Sequence, residues 1–180
     1  AITVAVQTGV FLIGAVLFPI GFCMLYLMGF DLLTGVFMLT PLAWLAKRPG
    51  VTPSQILRNW GFVFLGNFAG ALTVAFMMSY IFTMGYNVDG GAIATKVASI
   101  GEARTLGYAE HGVAGWITIF IRGMLCNWMV SLGVVGAMIS THVSGKVLAM
   151  WFPIMLFFFM GFEHSVVNMF LFPFGLIMGG

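Results

Sequence analysis

From Val147 to the end of the chain, 34 residues carry only two ionisable side chains, Glu163 and His164, and these are adjacent. A straight helix of that length would be ~51 Å long, against a bilayer hydrocarbon core of ~30 Å. The region therefore has to break. Gly161, the run Glu163-His164-Ser165, Asn168 and then Pro173 mark where. Non-helical backbone at membrane depth is tolerated only where protein buries it or where it lines a cavity. Ionisable side chains at such a depth mark a functional site by default, the plainer alternative being a satisfied core histidine.

Hydrophobic residues make up 61% of the chain and charged residues 7%, too little polar surface to cover a soluble globule. Long apolar runs, rather than short alternating ones, predict an all-α integral membrane protein. The net charge of +2 is small and scattered, which argues against a nucleic-acid partner. Cys23 and Cys126 lie inside apolar spans and show no metal-ligand spacing, so no metal or other cofactor is expected.

The first apolar region, about residues 10–46, is also too long for one span, at ~55 Å. Two half-helices are expected, about Leu12–Met28 and Val36–Leu45, joined by a loop around Asp31–Gly35. Thr52-Pro53-Ser54 offers a cap and first turn for a span to about Phe82, in which Asn67 reads as an interhelical hydrogen-bonding residue. Residues 85–107 break the apolar pattern, with a short surface helix expected over Ile93–Ala103. A third span covers about Gly115–Ser140, its Arg122 expected to snorkel towards an interface. Lys47, Arg48, Arg58 and Lys146 favour the cytoplasmic side, and the segment from Gly85 to Glu110 then faces out.

The two interrupted regions, about 10–46 and 147–180, repeat one another. Gly29-Phe30-Asp31 matches Gly161-Phe162-Glu163, and Pro41 matches Pro173, all at an offset of 132 residues. By the loop charges the two regions run in opposite directions. That is the signature of an inverted repeat, in which broken helices meet near the midplane to form a transport path. The whole of 1–180 reads as one transmembrane transporter domain. Three spans per repeat would require one more span before Ala1 and one after Gly180, so the chain is expected to be a piece truncated at both ends.

With these motifs in place, the sequence resembles the formate/nitrite transporter family. The matching stretches are Gly161-Phe162-Glu163-His164-Ser165-Val166-Val167-Asn168, Arg122-Gly123-Met124-Leu125-Cys126-Asn127-Trp128 and Gly29-Phe30-Asp31-Leu32-Leu33-Thr34-Gly35. The resemblance implies an aquaporin-like, six-span protomer in a homopentamer, of which this chain covers spans two to five. It implies a multi-pass protein of a prokaryotic inner or plasma membrane, and a transporter rather than an enzyme. Its cargo would be small monovalent weak-acid anions such as formate or nitrite, with hydrosulfide, short-chain carboxylates or, more remotely, a neutral solute or water as alternatives.

The resemblance also implies site residues. His164 is the central histidine, Thr34 and Asn127 its companions on the substrate path, and Glu163, Asp31, Ser165 and Asn168 the support of the loops. Phe18, Phe22 and Phe157 would form one apolar constriction, and Leu32, Leu33 and Val130 the other. Where the family usually has a vestibule lysine, sixteen residues before Asn127, this chain has His111, whose charge would depend on pH. Thr34-Gly35-Val36 also departs from the family's usual Thr-Gly-Asn.

A bare anion crossing two apolar rings would lose its hydration at high cost, whereas a neutral weak acid loses far less. The expectation is therefore protonation at or near His164, coupling protons to the anion. Rival readings have weaker support. No paired Asn-Pro-Ala motif marks a water channel. Bis-histidine haem would need a second buried histidine, but His111 and His142 lie at or beyond span ends. Ser165 beside His164 is a poor nucleophile–base dyad.

Overall fold

The computed structural model describes residues 1–179; Gly180, the last residue of the second interrupted region, lies outside the described residues. The chain forms α1 (Ile2–Thr8), α2 (Phe11–Leu17), α3 (Pro19–Leu27), α4 (Leu33–Leu45), α5 (Pro53–Phe82), α6 (Gly91–Ala103), α7 (Leu106–Ala109), α8 (Gly112–Ile139), α9 (Val143–Phe159) and α10 (Ser165–Ile177), with no strand among the described residues. Two helices, α5 and α8, are long and apolar enough to cross a membrane alone. Large side chains such as Phe62, Leu65, Trp116 and Phe120 are exposed along them. The start of α5 is set by a capping box. Gln55 N–H donates to Thr52 Oγ1, Thr52 N–H donates to Gln55 Oε1, and Pro53 occupies the first turn.

Both long apolar regions are broken helices, and the 132-residue offset extends to the hydrogen bonds. In the first break, Gly29 adopts φ 73°, its N–H donates to Tyr26 O at 3.2 Å, and Phe30 N–H donates to Leu25 O at 3.0 Å. In the second, Gly161 has φ 66°, its N–H donates to Phe158 O at 3.1 Å, and Phe162 N–H donates to Phe157 O at 3.1 Å. Each is a helix end closed by a left-handed glycine, with paired bonds back to the last turn. The chain then stays extended for a few residues and starts a new helix of 13 residues, α4 or α10. The repeated Gly-Phe-acid tripeptide is thus a stop-and-restart signal.

The boundaries differ from expectation in several places. The second half of the first broken helix begins at Leu33, not Val36. Leu32 is extended (φ −114°, ψ 131°) and its carbonyl already accepts from Val36 N–H at 3.0 Å. Thr34 and Gly35 therefore lie in the first turn of α4, and the loop is residues 28–32. The first half is itself divided at Phe18, where Pro19 opens α3. Phe18 keeps helical angles and its N–H still reaches Gly14 O, so the path kinks without ending. Pro173, expected to interrupt the last region, sits inside α10, which continues to Ile177. One missing N–H there removes one ladder bond without stopping a helix packed on α5 and α6.

The largest departure is α6, which is not a surface helix. It lies antiparallel along α10 with Ala94, Val97, Ala98 and Gly101 buried. A Cβ on Gly101 would stand 2.6 Å from Leu171 O, and one on Gly175 would stand 3.5 Å from Ala98 O. Small residues at these spacings let the two backbones approach closely. The helix consequently descends beside α10 and delivers Arg104 to the level of the second break.

The core is a seam between α3, α8 and α9, with Phe22, Cys126, Val130, Ile154 and Phe157 at its centre. A second cluster joins α5, α6 and α10 through Ala75, Ala94, Val97, Leu171 and Phe174. Between the two clusters, the N-terminal ends of α4 and α10 meet.

Candidate functional site: the meeting of two half-helices

His164 is the last extended residue before α10, and its imidazole caps that helix. Val167 N–H donates to His164 Nδ1 at 3.2 Å, satisfying a first-turn amide that the helix cannot satisfy itself. A backbone N–H can only donate, so Nδ1 is the unprotonated nitrogen and the neutral ring carries its hydrogen on Nε2. Nε2 lies 3.1 Å from Thr34 Oγ1, in the first turn of α4. The histidine is 2% exposed and the threonine 5%. One hydrogen bond therefore joins the two half-helices at their N-terminal ends, where both helix dipoles are positive.

Phe22 and Phe157 wall the ring. Phe157 stacks on His164 at 5.5 Å between centroids, and Phe22 meets it edge-on at 5.4 Å. Phe18 completes an aromatic triangle, 5.8 Å from Phe22 and 5.5 Å from Phe157. This layer separates two cavities. One, of about 200 Å³, ends on His164 and is bounded by Phe18, Phe157, Phe162 and Arg104. The other, of about 50 Å³, lies on the α4 side and is bounded by Phe22, Leu32, Val130 and Met150. Leu33 stands apart from Leu32 and Val130: it packs with Val36 and Val63.

The other anticipated residues fall in different places. Asn168 is buried and donates from Nδ2 to Glu163 Oε2 at 2.9 Å. Ser165 is exposed, and its hydroxyl makes no hydrogen bond among the described residues. Asp31 is exposed and enters the loop through its carbonyl alone, which accepts from Asn67 Nδ2 at 3.1 Å. Asn127 Oδ1 is buried without a hydrogen-bond partner among the described residues. His111 is exposed and borders a separate, polar cavity of about 680 Å³, together with Lys96, Tyr108 and Arg122.

Four supporting residues were not singled out for a role at the breaks from the sequence. Asn67 holds the first break: besides its bond to Asp31 O, its Oδ1 accepts from Leu33 N–H at 2.9 Å. It is an interhelical hydrogen-bonding residue, but its partner is loop backbone. Arg104, Tyr108 and Arg122 hold the second break through Glu163. Tyr108 OH donates to Glu163 Oε1 at 2.9 Å, and Arg122 Nη1 donates to Tyr108 OH at 2.9 Å. Arg104 Nη1 lies 3.3 Å from Glu163 Oε2 and donates to Asn168 Oδ1 at 2.8 Å. Arg122 therefore turns inward to a polar partner instead of snorkelling. The signal that could have found Arg104 is the spacing of Ala94, Ala98 and Gly101, which marks a close-packing helix face ending at the arginine.

Opposed broken helices that meet N-terminus to N-terminus across an apolar layer define a membrane transport protein of the inverted-repeat class. The chain belongs to the formate/nitrite transporter family, whose model matches residues 1–180. It is 36% identical over 177 residues to a probable formate transporter of Methanothermobacter thermautotrophicus, covering 93% of this chain and 61% of that protein. It is 35% identical over 168 residues to the formate channel FocA of Haemophilus influenzae, covering 92% of this chain and 54% of that protein. The fold matches a pentameric formate channel solved with formate bound, at a TM-score of 0.75 and 23% identity, over 94% of this chain and 62% of the other. The chain thus spans between about half and two thirds of the length of these relatives.

Proposed function

We propose that this chain forms the path of a channel or transporter for small monovalent weak-acid anions, formate or nitrite first, in a homopentamer of the cell membrane. The observation that carries the reading is the layer of Phe22, Phe157 and His164 between two cavities, with His164 tied to Thr34. The names of the relatives, formate transporters and channels, agree with it, and so does the pentameric neighbour with formate bound.

The chemistry follows from the barrier. Two helix N-termini favour an anion as far as the layer, but the aromatic contacts beyond offer a charge nothing. A formate or nitrite that takes up a proton there crosses as the neutral acid. Neutral His164 has its hydrogen on Nε2 and cannot surrender it without becoming an anion. The ring must first accept a proton from water at Nδ1, giving up the Val167 bond. The resulting imidazolium passes its Nε2 proton to the anion, and transfer of the remaining Nδ1 proton to Nε2 through water restores the starting tautomer and the Val167 bond, so each turn moves one proton with one anion. Thr34 steers the donating nitrogen. Asn127, with its unpartnered carbonyl, supplies an acceptor for the hydroxyl of the neutral acid.

The test is flux through the complete protein in proteoliposomes, with His164→Asn as the variant. Asparagine still caps a helix but cannot titrate. Assembly retained with proton-coupled flux lost is the expected result. Unchanged coupled flux would overturn the role of His164.

A further inference from the structure

Arg104 stands in the wall between two cavities. One side opens to the polar cavity shared with Lys96, His111 and Arg122, and the other to the cavity that ends on His164. A single nitrogen, Nη1, holds it to Asn168 and Glu163. Among the described residues Nε and Nη2 make no hydrogen bond, and the side chain remains 19% exposed. A guanidinium keeps its charge and presents its N–H groups in a rigid plane that matches two oxygens at once. The local charge also favours an anion, since Lys96, Arg104, Arg122 and Glu163 around the cavity together sum to two positive charges.

We propose that Arg104 is an anion-staging site one step before His164, and that it sets preference among anions. The inference rests on the formate/nitrite reading above. The free edge of the guanidinium takes a small planar anion with two oxygens through paired N–H bonds. Glu163 offsets part of the attraction, so the anion is released to the histidine rather than trapped. Single-atom anions such as chloride, and the one-centre hydrosulfide, gain the charge but not the second bond.

The test compares formate, nitrite and hydrosulfide flux through the complete protein and its Arg104→Lys variant, which keeps the charge and loses the fork. Formate and nitrite flux at low concentration should fall roughly tenfold while hydrosulfide changes by less than about twofold. An equal fall for all three, or none, would overturn the assignment of Arg104. Absence of formate and nitrite flux in the unmodified protein would instead overturn the formate/nitrite reading itself. If the variant fails to assemble, competition in the unmodified protein decides. Nitrite should inhibit formate flux roughly tenfold more strongly than chloride, and equal inhibition contradicts a two-point site.

Discussion

Leu32 and His164 occupy the same place in the two halves of the molecule, 132 residues apart, each the last extended residue before a 13-residue half-helix. At one the first-turn amides depend on outside help from Asn67, and at the other the residue's own imidazole supplies the cap. The repeat is therefore symmetrical in backbone and asymmetrical in chemistry. One copy carries an apolar wall and the other a titratable ring.

That difference predicts different outcomes for two substitutions of His164. His164→Leu removes the cap as well as the ring nitrogens, and the cap alone contributes about 1 kcal/mol. His164→Asn keeps the cap while losing the same ring contacts, and should be the more stable of the two by about 1 kcal/mol. Thermal unfolding in detergent measures both. Equal melting of the two variants would mean that the Val167 contact contributes nothing.

Glu163 is a buried carboxylate whose two oxygens accept from Tyr108 and Asn168 beside Arg104. Glu163→Gln leaves Arg104 without its counter-charge and gives one former acceptor position a donor. A loss of about 1–3 kcal/mol is expected, together with slower anion flux. Arg104→Gln in the same background should recover part of the stability, and failure of any such recovery would contradict a coupled pair.

Asn67 ties α5 to the first break through two backbone bonds. Asn67→Leu, close in size, should cost about 1–3 kcal/mol by orphaning Leu33 N–H and Asp31 O at depth. Hydrogen exchange at Leu33 and Thr34 reads the effect locally. Protection unchanged from the unmodified protein would show that the break is held by something else.

Much of this is legible in the sequence alone, because it rests on short-range rules. Gly29 and Gly161 had to mark breaks, since the apolar runs around them are longer than a bilayer and glycine is the residue that turns a helix end left-handed. Thr52-Pro53 fixed the start of α5 through its own side chain. The placement of Arg104 and Tyr108 depends instead on how two helices dock. By local charge, the segment around Ile93–Ala103 reads as a short surface helix, and only the contact of Ala98 and Gly101 with α10 brings it inward. Thr34 read as loop because Gly35 follows it, yet Gly35 is tolerated within a first turn whose ladder bond starts at Leu32.

The small-residue contact can be tested alone. Gly101→Val would drive a side chain into the Leu171 carbonyl and push α6 off α10. Overpacking of this kind costs about 1–3 kcal/mol. It should also weaken the Arg104–Glu163 contact, so flux should fall with stability. Full flux in Gly101→Val would separate α6 from the site.

In the proposed transport cycle a proton joins the anion at the His164 layer. That step is tested most directly by a formate jump across proteoliposomes holding the complete protein, followed by a dye for internal pH, at external values of about 5 and about 7.5 either side of the ordinary histidine range. Faster formate entry is expected at the lower pH, with internal acidification that tracks formate one for one and disappears in His164→Asn. Formate entry with no internal acidification, indifferent to external pH, would contradict it.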